Sequence, residues 1–214
     1  MKLKTLFSIL MLSLMIGFNS CTQCKGVSEA ANDTTFTEAK SFVVENIIST
    51  DRQDMFLNYA QDYRWFETCI QLEDYLDDEN CDGTVHSVSN VFQVVEEKGN
   101  GADVYVVLYS HLRDTTTIDV KHGFWVEDFV LNEEAIAITF DAAFEKLMEA
   151  NCPKPHSKYC VLRKQIGPAD ANPQYIFGNS HAQVYVDAVT GDVSVTNPVF
   201  PDDKGFTMPL GEWP

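Results

Sequence analysis

Basic residues are scarce in this chain of 214 residues. Fifteen lysines and arginines stand against 32 aspartates and glutamates, which gives a formal net charge of −17 at pH 7. Such an acidic surface repels the phosphates of nucleic acids and the anionic headgroups of lipids, so we expect no nucleic-acid partner. After Ser20 no apolar stretch is long enough to span a bilayer. Any membrane attachment must therefore come from the N-terminus.

Familiar catalytic motifs are also missing. The chain has no GxSxG, no HExxH and no phosphate-binding loop, and its five histidines are scattered: His86, His111, His122, His156 and His181. Those motifs are the patterns that place a nucleophile, a zinc ion or a nucleotide. Ser180-His181 reads more simply as the tip of a hairpin than as a catalytic pair. We therefore expect a protein that is not an enzyme.

What the chain does have is a distinctive N-terminus. Lys2 and Lys4 precede an apolar run from Leu6 to Phe18, and Asn19-Ser20-Cys21 follows. This start resembles a bacterial lipoprotein signal. The resemblance implies cleavage before Cys21 and acylation of its thiol and new amino group, which would anchor the chain in the envelope, at the outer membrane, on its periplasmic or its surface face. An ordinary secretory signal and an uncleaved anchor are the alternatives.

Composition and periodicity divide the chain into five segments. They are a signal peptide (1–20), a small polar tether (21–34), an N-terminal α+β unit (35–131), a second α+β unit (132–197) and an extended Pro-rich tail (198–214). With 45% apolar residues, the chain is rich enough in apolar side chains to build a globular core.

The N-terminal unit is expected to contain two helices followed by a strand meander. One helix begins at Thr35, and Thr50-Asp51-Arg52-Gln53 has the pattern of a capping box that would open the second. The strands that follow run over Val91–Val95 and Val104–Leu112, joined by a turn at Gly99-Asn100-Gly101, and from Ile118 to Val130.

The second unit repeats the order of helix and strands. Thr139 can cap a helix whose apolar positions are Phe140, Ala143, Phe144, Leu147 and Met148. Strands are expected at Tyr159–Lys164, Gln174–Phe177 and Gln183–Val195, the last folded at Thr190-Gly191. The predicted fold class is thus α+β, with amphipathic helices packed on antiparallel sheets. The patterns that begin at Thr35 and Thr139 match in type, which is consistent with two related units, although any capped amphipathic helix gives such a pattern.

The stretch Val184-Tyr185-Val186-Asp187-Ala188-Val189-Thr190-Gly191-Asp192-Val193 resembles the closing hairpin of the PepSY family and its PepSY-like relatives. The resemblance covers about 135–196, under a third of the chain. It implies an extracytoplasmic α+β module, linked in some relatives to peptidase inhibition or partner binding, and it carries over no catalytic residues. From the residues alone, the motif is a hairpin in which Gly191 supplies a positive φ and Asp187 or Thr190 bonds turn N–H groups.

One acidic segment matches the first half of a calcium-binding loop. Asp78, Asn80 and Asp82 alternate before Gly83, so their oxygens could converge on one hard cation. The twelfth position of that loop is Ser89, where a bidentate glutamate is needed. A solvated acidic turn is the alternative, and we expect no cofactor unless calcium binds here.

Four cysteines lie within the two units. We predict local disulfides between Cys69 and Cys81 and between Cys152 and Cys160, because each pair brackets a turn-rich segment and exported proteins can keep disulfides. Free buried thiols are the first alternative. Zinc bound by Cys152, His156 and Cys160 is the second, but no fourth ligand stands nearby.

These features together favour a binding function. We expect a lipid-anchored envelope protein that binds a protein or peptide, for example a peptidase that it restrains. A small-molecule or calcium-binding envelope protein and an envelope enzyme of unknown class are the alternatives.

Overall fold

The computed structural model describes residues 42–99, 101–126, 128–166, 171–180, 182–196 and 207–209. The leader, the tether with Cys21 and most of the Pro-rich tail lie outside these residues. Within the described ranges, no helix is both long and apolar enough to cross a membrane.

The described residues form one antiparallel sheet with two helices. The α-helices are α1 (Val44–Tyr59) and α2 (Phe140–Glu149), and a single 3₁₀ turn covers Glu133–Ala135. The strands are β1 (Tyr63–Leu72), β2 (Val85–Lys98), β3 (Gly101–Leu112), β4 (Thr115–His122), β5 (Asp128–Phe129), β6 (Tyr159–Gln165), β7 (Gln174–Gly178), β8 (Gln183–Asp187), β9 (Val193–Thr196) and β10 (Thr207–Pro209).

The sheet order is β10-β9-β8-β7-β6-β1-β2-β3-β4, and the short β5 pairs with the end of β6. Every neighbouring pair is antiparallel. The chain runs from α1 into β1–β4 and from α2 into β6–β9, and β1 lies beside β6 in the middle of the sheet. Strands of both predicted units therefore belong to one sheet.

The predicted fold class, α+β with helices packed on antiparallel sheets, is wrong. The fold is a sheet-rich meander, and its two helices have only 16 and 10 residues. The main cause is the segment Tyr63–Leu72, for which no strand was predicted. Its aromatic and β-branched side chains suit a pleated strand, and it forms β1, with strands on both sides.

The second helix of the N-terminal unit is also wrong, because α1 runs without a break through the supposed capping box. The Thr50 hydroxyl donates to the carbonyl of Asn46, four residues earlier, at 2.7 Å. A threonine in a helix interior commonly pairs its hydroxyl in this way. The buried positions of α1 are Val44, Ile48, Asp51 and Met55. Phe56, next to the buried Met55, is 55% exposed.

The predicted hairpin at Gly99-Asn100-Gly101 is confirmed, since β2 and β3 pair with Lys98 opposite Gly101. The strand expected to continue to Val130 instead ends at His122, and β5 follows separately. The tail was predicted only as an extended segment, and within it Thr207–Pro209 pairs with β9 as β10.

Helix α2 agrees with its prediction. The hydroxyl oxygen of Thr139 accepts a hydrogen bond from the Ala142 amide at 3.2 Å. The buried residues of α2 are Phe140, Ala143, Phe144 and Leu147, whereas Met148 is exposed. The rings of Phe140 and Phe144 contact Phe177 of β7, so this helix packs on the part of the core lined by β7.

Candidate functional site

Among the strands whose burial the structure describes in full, the edge strand β4 is the most exposed. All eight of its residues are exposed, and among the described strands it pairs only with β3. Within the described residues no strand pairs with its outer row of backbone N–H and C=O groups, and such a row is the template that another strand needs. We call residues 115–122 the β4 edge.

Two apolar side chains of the β4 edge lie on the helix side of the sheet. Ile118 is opposite Tyr109 and Val120 is opposite Val107, and directly opposed residues of antiparallel strands share a face. The phenolic hydroxyl of Tyr109 donates to Asp54 of α1, so the face that Tyr109 shares with Ile118 and Val120 is the one against which α1 packs. Ile118 is 54% and Val120 is 51% exposed, so α1 leaves both uncovered.

Beneath α1, a buried polar network ties the helix to the strands. The carboxylate of Asp51 accepts from Asn90 of β2 at 2.7 Å and lies 2.8 Å from Nε2 of His111 in β3. Asn90 in turn accepts from the hydroxyl of Thr68 in β1. Asp51, Asn90 and Thr68 are all buried, so the network meets the requirement that buried polar groups be paired.

The same network reaches β4. Nδ1 of His111 lies 3.0 Å from the hydroxyl of Thr116, and if Nε2 carries the ring proton, Nδ1 accepts from that hydroxyl. Asp51, His111 and Thr116 thus form a carboxylate–imidazole–hydroxyl chain that ends at an exposed residue. Structurally, this chain fixes β4 against β3 and α1.

A second polar cluster lies where β1, β5 and β6 meet. Arg163 of β6 lies between Glu67 of β1, at 3.8 Å, and Asp128 of β5, at 3.6 Å, and all three are largely buried. The indole N–H of Trp125 donates to Asp128 at 3.3 Å. Burial raises the pKa of Asp128, and the guanidinium of Arg163 opposes that rise. This geometry is a structural ion cluster that joins the middle strands to the segment before β5.

Two of the candidate calcium ligands, Asp78 and Asp82, accept hydrogen bonds from backbone amides of their own turns. Asp78 accepts from the amide of Asn80 at 3.0 Å, and Asp82 accepts from the amide of Thr84 at 2.8 Å. Hydrogen bonds from the hydroxyl and the amide of Thr84 lower the pKa of Asp82. In the described part of the chain, no group of three or more acidic, histidine or cysteine side chains is placed to hold a metal ion. The expectation of no cofactor, with calcium as its alternative, stays a prediction.

Neither predicted local disulfide is formed. Cys81, Cys152 and Cys160 are free thiols. Cys69 is disulfide-bonded, but its partner is none of these three. Cys160 lies in the core, where it belongs to the fully buried part of β6, whereas Cys152 follows α2 beside the ammonium group of Lys154. Burial raises the pKa of each free thiol, so all three are protonated and poorly nucleophilic at neutral pH.

The predicted zinc ligand His156 and the other histidine and tryptophan side chains are dispersed. The ring of His156, the proposed zinc ligand, stacks on Tyr75 with centroids 4.2 Å apart, and its Nδ1 lies 3.0 Å from Asp77. His86 pairs with Glu73 in the same way, at 3.0 Å. Trp65 is buried in the core. His181, Trp213 and the predicted acylation site Cys21 lie outside the described residues.

The turn that carries the PepSY resemblance has the expected hairpin chemistry. Gly191 has φ +77°, and the carboxylate of Asp187 accepts from the amides of Val189 and Thr190 at 2.8 and 2.9 Å. These contacts lower the pKa of Asp187 although burial acts in the opposite direction. The carbonyl of Ala188 also accepts from the amide of Ala137, so the turn holds the segment that leads into α2. Membership of the family stays a prediction.

Sequence reasoning missed the polar network, although a signal was present. Asp51 stands at helical spacing from Ile48 and Met55, and Asn90 alternates with Val88 and Phe92, so both occupy positions of core residues. A polar residue at such a position needs a buried partner, which points to a network. The exposure of β4 had no equivalent signal, because it depends on the order of strands in the sheet.

The comparisons with known proteins add no assignment: no protein-family model matches the chain, and no curated protein and no solved structure is significantly similar to it.

Proposed function

We propose that this protein is a lipid-anchored component of the bacterial envelope that binds a protein partner and performs no catalysis. The N-terminal segment that resembles a lipoprotein signal supports the anchor, and the strongly acidic composition supports a partner other than nucleic acid. A peptidase held in an inhibited state is one partner of this kind, in keeping with the PepSY resemblance.

The β4 edge is the observation that carries this proposal. An extended segment of a partner can add to β4 through main-chain hydrogen bonds, while Ile118 and Val120 supply apolar contacts on one face. The polar network holds β4 in place before the partner arrives, because Thr116 is bonded to His111 and His111 to Asp51. A pre-ordered edge loses less conformational entropy on binding than a mobile one.

The proposal is tested by cross-linking and affinity capture from envelope extracts. The bait carries Ile118→Thr together with Val120→Thr, which removes apolar surface but keeps β-branched residues that suit a strand. The matched control is Ile166→Thr, at an exposed isoleucine elsewhere. We expect the wild type and the control to recover the same partner, and the double variant to recover about tenfold less of it, as the loss of two apolar contacts predicts. Equal recovery by all baits, or no specific partner with any, contradicts the proposal.

The chain of Asp51, His111 and Thr116 favours an envelope hydrolase as the second candidate, because a carboxylate, an imidazole and a hydroxyl in contact can activate a nucleophile. Reaction with a β-lactone probe, followed by mass mapping, tests this function. An adduct on Thr116 that is lost in Thr116→Val and in His111→Ala supports catalysis. An unlabelled Thr116 supports the binding function.

A further inference from the structure

We propose that the strand added to the β4 edge is β4 of a second copy of this chain, so that two sheets join into one across a twofold axis. The inference rests on the proposed function, in which the β4 edge accepts a strand, and it names the partner. A twofold dimer, in which both copies use the same surface patch, is the most common way for a chain to associate with itself.

The charges of β4 make its edge self-complementary. Asp119 and Lys121 lie on the face opposite to Ile118 and Val120, because side chains alternate along a strand. Both are exposed, and within one chain they form an ion pair at 2.7 Å. If an antiparallel copy is placed with the twofold axis at Val120, Asp119 of each copy lies directly opposite Lys121 of the other. The dimer then has two cross-strand ion pairs in this register.

The other face of the same register is free of conflict. Val120 lies opposite its own copy, and Ile118 lies opposite His122 of the other chain. In contrast, a register centred on Asp119 would place two carboxylates against each other, which is destabilising. A register centred on Ile118 places Asp119 and Lys121 opposite threonines and forms no cross-strand ion pair. The charges therefore select the register at Val120.

The two acidic bodies repel each other at long range, since each chain carries a formal charge of −17. An N-terminal anchor would offset this repulsion by holding copies on one surface at high effective concentration. Association is therefore expected to be strongest for the anchored protein.

Charge reversal and charge swap test the inference. The full-length protein, purified from membranes in detergent, is measured by analytical ultracentrifugation over a range of concentrations. Asp119→Lys and Lys121→Asp each replace two attractive pairs by two like-charge pairs, so each should raise the dimer dissociation constant by about tenfold or more. The double variant Asp119→Lys/Lys121→Asp restores opposite charges and should return the constant to near the wild-type value. Glu145→Lys, on the exposed side of α2, has the same charge change as Asp119→Lys and should leave the dimer intact.

Each contrary result has a distinct meaning. A wild-type protein that is monomeric at every concentration overturns the inference, as does a dimer that ignores the single reversals or is not restored by the swap. If the affinity capture still depends on Ile118 and Val120 in that case, the β4 edge binds another protein and the proposed function stands. If that capture also fails, both are wrong.

Discussion

At the scale of single residues, the structure depends on polar side chains placed where apolar ones are usual. Asp51 occupies a buried position of α1 and is the common acceptor of Asn90 and His111. A buried carboxylate without partners would cost several kcal/mol, so these contacts decide whether the position is tolerated. The network therefore specifies how α1 sits on β2 and β3.

Replacement of Asp51 by alanine should lower the free energy of unfolding by about 2–4 kcal/mol, because Asn90 and His111 lose their shared acceptor. Alanine has a higher helix propensity than aspartate, so a change in helix propensity cannot cause a loss of stability in this variant. Urea denaturation measures the effect, and Asp114→Ala in the exposed turn before β4 is the control. Similar small changes for both variants would show that the network contributes little.

The buried carboxylate of Asp128 makes a prediction about pH. Its pKa is raised, mainly by burial, so the folded state binds a proton more readily than the unfolded state does. The stabilising contribution of such a group is complete below its ordinary pKa and is lost as pH rises through the folded value. Wild-type protein should therefore gain stability relative to Asp128→Asn as pH falls from about 7 to about 4.5. Urea titrations at both pH values check this, and a constant difference between the two proteins would contradict it.

At the scale of elements, two predictions from local signals are confirmed, whereas the capping-box pattern at Thr50 is wrong and the strand β1 was not predicted. The cap of α2 at Thr139 and the turn between β2 and β3 depend on a few adjacent residues, and both are confirmed. The strand β1 depends on β6, whose residues Tyr159–Arg163 lie far along the chain, and on β2. Its mixed aromatic and polar sequence does not indicate a strand by itself, and β1 is stabilised by pairing with a strand on each side.

The loop before β2 packs closely against α2 at Gly83. Gly83 has φ +82°, and a Cβ added there would lie 2.8 Å from Cδ1 of Phe144. Gly83→Ala should therefore lower the free energy of unfolding by about 1–3 kcal/mol, through backbone strain and displacement of the Phe144 ring. The control is Gly99→Ala, where no atom lies within 4 Å. Thermal unfolding of both variants decides, and an equal fall in melting temperature would refute the contact as the cause.

At the scale of the whole molecule, the sequence predicts the strand β4 but not its role. Ile118 and Val120 alternate with polar residues, as in any half-buried strand. Whether such a strand is central or at an edge follows from the assembly of all the others, and here β4 is last in the order. The candidate site is a property of the complete sheet, which explains why no motif indicated it.

The anchor can be tested on the intact chain. Cys21→Ser should remove acylation and shift the protein from the membrane fraction to the soluble fraction, because in the proposed lipoprotein the acyl chains on Cys21 provide the attachment. Cys24→Ser, three residues further on, should leave both unchanged. Fractionation together with intact-mass measurement reads out the result. An unmodified Cys21 in wild-type protein from native membranes would contradict the lipoprotein assignment.

The pairing of β1 with β6 affects how the chain matures. The first of these strands is synthesised well before the second, and until Tyr159–Arg163 arrives one side of β1 lacks its neighbour. In a nascent or cleaved chain that ends after α2, β1 is therefore an unpaired edge, although it is a central strand of the complete sheet. Such open strands tend to aggregate. Cleavage between α2 and β6 should consequently yield insoluble fragments, and the protein should not be divisible there into two independent soluble halves.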